Sequence, residues 1–167
     1  KIKPVWVELG LQTANEKTAE YIRRYYKNEV YTQAVERLNS LGIEVITHII
    51  IGLPFETVDD MLSSVELAVK SGTKGIKLQL LHVLRGTDLC TDYENGLFKT
   101  LSLDEYMDIL FLCIERLPVD IVVHRITGDA PKKHLVAPLW SADKKNVMNT
   151  INRELERRDI RQGRLTL

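Results

Sequence analysis

The stretch Ile43-Glu-Val-Ile-Thr-His-Ile-Ile-Ile51 constrains the fold more than any other part of the sequence. It is rich in β-branched residues and apolar on both faces instead of strictly alternating, which is how a parallel strand covered on both sides reads. Gly52-Leu53-Pro54 breaks it, and Thr57-Val-Asp-Asp60 then opens a helix carrying Met61, Leu62, Val65, Ala68 and Val69. Strand followed by helix is the unit of a parallel sheet, because parallel neighbours need a long crossover between them.

The same unit recurs along the chain. Val5 to Leu11 reads as a strand, and Thr13-Ala-Asn-Glu16 resembles a capping box for a short helix reaching about Arg24. A second helix is expected from about Thr32 to Leu41, stopping at Gly42. Gly75 to Val83 is a third strand, with Cys90 expected in a partly exposed loop beyond it. Ser102-Leu-Asp-Glu105 caps a helix running to Leu117-Pro118. Asp120 to Ile126 is the fourth strand, and a polar amphipathic helix from about Ala142 to Arg158 closes the series. Four strands, each followed by helical sequence and none joined by a hairpin signal, predict an α/β fold: a small open parallel sheet or part of a barrel. In either, function gathers at the carboxyl ends of the strands.

Composition bears mainly on what the chain does not announce. Lys+Arg and Asp+Glu are both 23, so there is no electrostatic footprint for nucleic acid or an anionic membrane. No apolar run approaches the roughly 20 residues of a membrane helix, and the expected setting is cytoplasmic. Cys90 and Cys113 are the only cysteines, too few for a disulfide framework and too far apart for a C-x-x-C site.

The strand ends resemble the radical-SAM superfamily. Glu8-Leu-Gly-Leu-Gln-Thr13, Ile22-Arg23-Arg24 and Thr47-His48-Ile-Ile-Ile-Gly52-Leu53-Pro54 are similar to the fourth and fifth strands of that barrel, as in the catalytic subunit of Elongator and oxygen-independent coproporphyrinogen oxidase. Gly75-Ile-Lys-Leu-Gln-Leu-Leu-His-Val-Leu-Arg-Gly-Thr87 and His124-Arg-Ile-Thr-Gly-Asp-Ala-Pro131 are more similar still to the YhcC-like bacterial branch. The resemblance implies a partial TIM-type (β/α) barrel of about four parallel strands, its C-terminal part, over residues 1–131, with a helical extension over 132–167 in the same single unit. It also implies S-adenosylmethionine (SAM) and a [4Fe–4S] cluster as cofactors, with reductive cleavage of SAM to a 5′-deoxyadenosyl radical. The family's C-x-x-x-C-x-x-C motif is absent from this sequence, so the resemblance makes the chain a fragment that lacks cluster ligands, holds no metal and is inactive by itself. A second departure is Tyr25, where relatives usually carry Gly after the Arg.

Residue by residue, the resemblance assigns Gln12 to the ribose hydroxyls, Arg24 to the methionine carboxylate and His48 to a further ribose contact. Ile50, Gly52, Leu53, Pro54 and Val83 would form the adenine wall, with Gly52 leaving room for close approach. Read plainly, Gln12 is also a loop amide bonded to backbone and Arg24 a solvated helix-end residue, while Glu56 is either an anchor behind the site or a first-turn helix glutamate favoured by the macrodipole. Glu8, Gln79, His82, His124, Arg125 and Asp129 lie on or just after strands and are candidates for lining a chamber for a substrate of unknown identity; Arg125 and Asp129 would equally pair and pin their loop. The competing function is a metal-dependent barrel hydrolase using His48, His82 and His124 as ligands, with Glu8 or Asp129 as base. The first strand, if its neighbour is missing, is expected to drive self-association.

Overall fold

The structure is a computed structural model and describes residues 3–165, so Lys1, Ile2, Thr166 and Leu167 of the expected 1–167 unit lie outside the described residues. The chain runs β1 (Trp6–Gln12), α1 (Glu16–Tyr21), α2 (Asn28–Ser40), β2 (Glu44–Ile51), α3 (Val58–Lys70) and β3 (Gly75–Leu80). It continues through β4 (Val83–Leu84), α4 (Asp88–Glu94), α5 (Leu103–Arg116), β5 (Val122–Arg125), β6 (Leu135–Ala137), a 3-10 turn at Leu139–Ala142 and α6 (Lys144–Arg157). Four strands form one sheet in the order β1-β2-β3-β5, and their parallel pairing is what the alternation of elements predicts.

Covering of the sheet is one-sided. Val45, Thr47, Ile49 and Ile51 of β2 are buried against Tyr31 and Val35 of α2, Met61 and Val65 of α3, and Leu110 of α5. Each large apolar side chain so enclosed contributes about 1.5–3 kcal/mol. On the opposite face Glu44 is exposed and His48 and Ile50 are half-buried, so β2 is not covered on both sides as its composition suggests. Ile46 alone is buried there; it and the His124 ring meet over Gly75, whose missing Cβ makes the space. We call this half-open side the inner face.

Helix starts follow the sequence signals at α3 and α5 but not at α1, nor at α2, which begins at Asn28, four residues before the expected Thr32, with no side-chain cap to mark it. Capping boxes are formed by Thr57 with Asp60 and by Ser102 with Glu105. At α1 the cap is Asn15, which accepts from the amides of Lys17 and Thr18, and the expected Thr13–Glu16 box does not form. Thr13 is fully buried and donates instead to Glu56, while Glu16 turns to the Asn28 amide and Arg24. A three-residue spacing cannot show that a distant carboxylate outcompetes the local one.

Two further elements escape the local signals. β4 and β6 pair antiparallel across a long sequence separation, with no turn motif to announce it. Around them Leu53, Leu81, Val83, Cys90, Phe98 and Ala137 form a second apolar cluster beyond the strand ends. Cys90 therefore lies buried in α4, not in a partly exposed loop.

Behind the sheet a buried chain of hydroxyls joins α2 to the start of β3. Tyr31 donates to Thr47 (2.7 Å), Thr47 to Thr73 (2.9 Å), and Thr73 reaches the Val45 carbonyl (2.9 Å). A buried hydroxyl stripped of its partner bears its full desolvation cost, about 1–3 kcal/mol. Thr47→Val is therefore expected to destabilise the chain by about that much in urea unfolding, and Thr47→Ser by clearly less. Equal stability of the valine variant and the parent would show that the chain of hydroxyls contributes nothing.

Candidate functional site

The inner face carries a line of polar groups across three strands. Parallel register sets Gly10 beside His48 and His48 beside Lys77, with Glu8 one step back on β1 and Gln79 one step ahead on β3. Glu8 accepts from Lys77 Nζ (2.6 Å) and contacts His48 Nε2 (2.8 Å), while the Gln79 amide meets His48 Nδ1 (3.0 Å). Glu8–His48 and His48–Gln79 are diagonal pairs on adjacent strands, within reach of long side chains, whereas Lys77 reaches across β2 to Glu8. The Lys77 ammonium first, and the bond to His48 second, hold the Glu8 carboxyl down at about 2. Glu8 is thus an anion throughout the physiological range, anchoring two nitrogen groups above an otherwise apolar strand. Lys77 was not singled out in the sequence, although a lysine two residues before Gln79 in a buried strand carries the alternation that marks an inner-face position.

At the carboxyl end of this face lies a cavity of about 540 Å³, within the roughly 300–1,000 Å³ of small-molecule sites. Gln12, Arg24, Ile50 and Leu53 border it as expected, joined by Arg23, Tyr25, Leu81 and Leu89. Gln12 sits at positive φ (58°) after a register shift between Gly10 and Gln12. Its side chain folds back over Gly10, where a Cβ would lie 2.0 Å from the amide nitrogen position. In the orientation that satisfies both ends of the amide, its nitrogen donates to the Gly10 (3.0 Å) and Leu11 (3.2 Å) carbonyls.

Arg24 is not a solvated helix-end residue. Its side chain is 3% exposed, and every guanidinium nitrogen is engaged within the chain. Nη1 donates to the Leu11 (2.7 Å) and Thr13 (2.8 Å) carbonyls, Nε to the Tyr26 carbonyl (3.1 Å) and Nη2 to Asn28 Oδ1 (2.8 Å), with Glu16 at 3.5 Å. Arg24 thereby fixes the loop after β1, on which Gln12 depends.

Several expected residues fall elsewhere. Val83 is fully buried in the second apolar cluster, paired in β4 with Ala137, and offers nothing to a ligand. Gly52 has φ +88°, and the space beside its Cα is filled by Leu101, not left open for a ligand. Pro54 is buried next to it. His82 points away from His48: its Nε2 contacts Ser141 (3.1 Å), its ring packs on Gly128, and burial pushes its pKa down. His124 remains exposed on the inner face at Gly75. The three histidines therefore do not converge, and among the described residues no group of three His, Cys, Asp or Glu side chains is placed to hold a metal ion. The hydrolase reading is left without a supporting arrangement among the described residues. Arg125 and Asp129 pair at 3.6 Å and Lys144 joins Asp129 at 2.5 Å, the loop-pinning arrangement.

Glu56 is not a solvated first-turn residue. It turns in beneath the β1 loop to accept from Thr13, and its second oxygen, Oε2, is buried without a partner. Burial is the main cause that pushes its carboxyl up to about 7. In the unfolded chain it titrates near 4.5, so the folded state binds the proton more tightly between those values. Its contribution to stability is complete below about pH 4.5 and is lost as pH rises through about 7. Glu56→Gln, which mimics the protonated form, is expected to flatten this part of the stability–pH curve in urea titrations from pH 5 to 8. An unchanged slope would place the titration on another group.

Comparison with known proteins follows this geometry. The Radical_SAM C-terminal domain family matches residues 73–157, and the Radical SAM superfamily matches residues 1–68. The chain is 42% identical to the protein YtqA of Bacillus subtilis and 32% identical to the protein YhcC of Escherichia coli K12, over 96% of its own length in each case. It spans about half the length of these relatives, 50% and 52%. The archaeal Elp3 of Methanocaldococcus infernus superposes with a TM-score of 0.82 at 20% identity, over 95% of this chain and 37% of that one, a likeness of fold. With an open parallel sheet, a cleft at its carboxyl end and family matches along nearly its whole length, the chain belongs to the radical-SAM superfamily.

Proposed function

We propose that this chain forms the wall of a SAM-dependent radical enzyme against which the nucleoside and the substrate are held. The supporting observation is the cavity at the strand ends, where one amide, Gln12, stands beside an apolar surface of Ile50, Leu53, Leu81 and Leu89. An apolar wall with a few polar groups fits adenosine: the wall takes the base, and an amide that both donates and accepts suits a ribose diol. Gln12 must exchange its bonds to Gly10 and Leu11 for bonds to the ribose. His48, one strand over, is held by Glu8 and Gln79, so its ring needs no reordering when ligand arrives. The inner-face groups Glu8, His48, Lys77, Gln79 and His124 then face the substrate, whose identity the site does not name.

When bound, SAM and the family's [4Fe–4S] cluster supply radical chemistry, the abstraction of a substrate hydrogen atom. The residues described here do not fit the cluster. Its usual ligands are thiolates, and Cys90 and Cys113 are buried in separate helices, with burial pushing the Cys113 thiol up to about 12. This chain's part is to bind, orient and exclude water.

The test is SAM binding by equilibrium dialysis in the complete gene product. Gln12→Ala and His48→Ala are each expected to weaken it by about 1–3 kcal/mol, without changing the melting temperature greatly. Unchanged affinity in both variants would end this reading.

The 167-residue chain alone is expected to self-associate. Among the described residues β1 is a sheet edge, and Val5 and Trp6 at its start are each 60% exposed. Light scattering should give a dimer or larger, with Val7→Lys shifting it towards monomer. A monomer at high concentration would show that the edge is harmless.

A further inference from the structure

Among the described residues two buried side-chain atoms lack a hydrogen-bond partner: Glu56 Oε2, beneath the loop after β1, and Arg116 Nη1. Arg116 is the last residue of α5. It lies at the end of the sheet remote from the cleft, because helices between parallel strands run back against them. A cation in the last turn suits the helix dipole, but an exposed lysine would serve that purpose equally well. Shutting a guanidinium nitrogen away from water with nothing to receive its protons leaves its desolvation uncompensated. Stability therefore does not account for this arginine.

Arg116 lines a cavity of about 290 Å³ between the C-terminal turns of α3 and α5. Val65, Val69, Pro118 and Leu165 form its apolar wall, and Glu66 and Lys70 also border it. Leu165 is fixed there by its amide, which donates to the Glu115 carbonyl (2.8 Å), and Gln162 ties the same segment to the Pro118 and Ile121 carbonyls (2.6 and 2.7 Å). Glu66 and Lys70 pair at 3.5 Å one turn apart on α3, so their charges cancel. Glu115, the acid next to Arg116 in sequence, is turned to Arg164 at 3.6 Å. Arg116 thus leaves the cavity with one net positive charge beside an apolar surface.

We infer that this cavity is a second ligand site, taking a small monocarboxylate with an aliphatic body, its head on Arg116 and its chain against Val65, Val69, Pro118 and Leu165. A planar guanidinium matches a carboxylate with two parallel bonds, and a side-chain rotation into the cavity brings Nη1 into one of them. The four wall side chains offer no donor or acceptor, so the body of the ligand is held by burial of apolar surface. At about 30 Å³ for a molecule the size of water, the space takes about ten non-hydrogen atoms. The site shares no residue with the strand-end cleft and is independent of the reading of that cleft.

The probe is octanoate, which has about that many atoms, titrated calorimetrically into the complete gene product. Octanol, the same body without the charge, and acetate, the head without the body, are titrated beside it. Octanoate is expected to bind about tenfold more tightly than either. Arg116→Met should lower octanoate to the level of octanol and leave octanol unchanged. It should also raise the melting temperature of the ligand-free protein, because the unpartnered nitrogen is gone. An arginine with a merely structural role would give the opposite: a lower melting temperature and an unaltered preference for octanoate. Arg116→Lys should keep that preference in reduced form. Val69→Trp, which fills the cavity, should abolish binding of octanoate and octanol together, and it tests the location by a route that leaves Arg116 in place. Equal affinity of the parent for octanoate and octanol, or no binding of octanoate at millimolar concentration, overturns the inference. So does an octanoate affinity unchanged in Arg116→Met or in Val69→Trp.

Discussion

Helices cover one face of the sheet and leave the other half-open, and from this asymmetry the rest of the molecule follows. Alternate residues of a strand point to opposite sides, so β2 places Val45, Thr47, Ile49 and Ile51 in an apolar core and His48 and Ile50 beside a cleft. The buried set supplies the cohesion that fixes register with β1 and β3. Register in turn sets Glu8, His48, Lys77 and Gln79 within bonding distance of one another. A slip of one residue would exchange the two sets, putting the charges in the core. Stability and site geometry are thus consequences of the same pairing.

The loop after β1 shows how a polar group can be structural at a site that invites a functional reading. Peptide carbonyls at a strand end have no ladder partner on one side and must be satisfied locally. Here the buried Arg24 guanidinium does this for Leu11 and Thr13 together, and Tyr26 stacks beneath it at 5.0 Å while its hydroxyl donates to Gly10. Glu56 closes the other side of the loop through Thr13. The loop therefore has a rigid base, above which Gln12, Arg23 and the exposed Tyr25 border the cleft.

How legible was this in the sequence? The four strands and their parallel pairing were, because strand and helix periods alternate and no hairpin signal joins two of them. The candidates Gln12, Arg24, Ile50 and Leu53 do come together, since motif spacing along a parallel sheet maps directly onto strand ends. The face of a residue just past a strand was harder. His82 and Val83 follow β3 by two and three positions, where the pleat no longer dictates direction, and both turn into apolar surroundings. The space beside Gly52 is taken by Leu101, which belongs to a loop about fifty residues away that no local pattern connects to it. Lys77 was passed over because a lysine in a strand reads as a solvated surface residue unless its partner, Glu8, is known.

Gly10 contributes no side chain to any contact, yet the Gln12 amide occupies the space where its Cβ would be. An alanine there would evict that amide and, through the shared bulge, retune the end of β1. Position 10 therefore governs where the Gln12 amide lies without making any contact of its own. Part of the geometry of this strand end is in this sense stored as an omission: one residue keeps a volume empty so that another, two places on, has somewhere to rest.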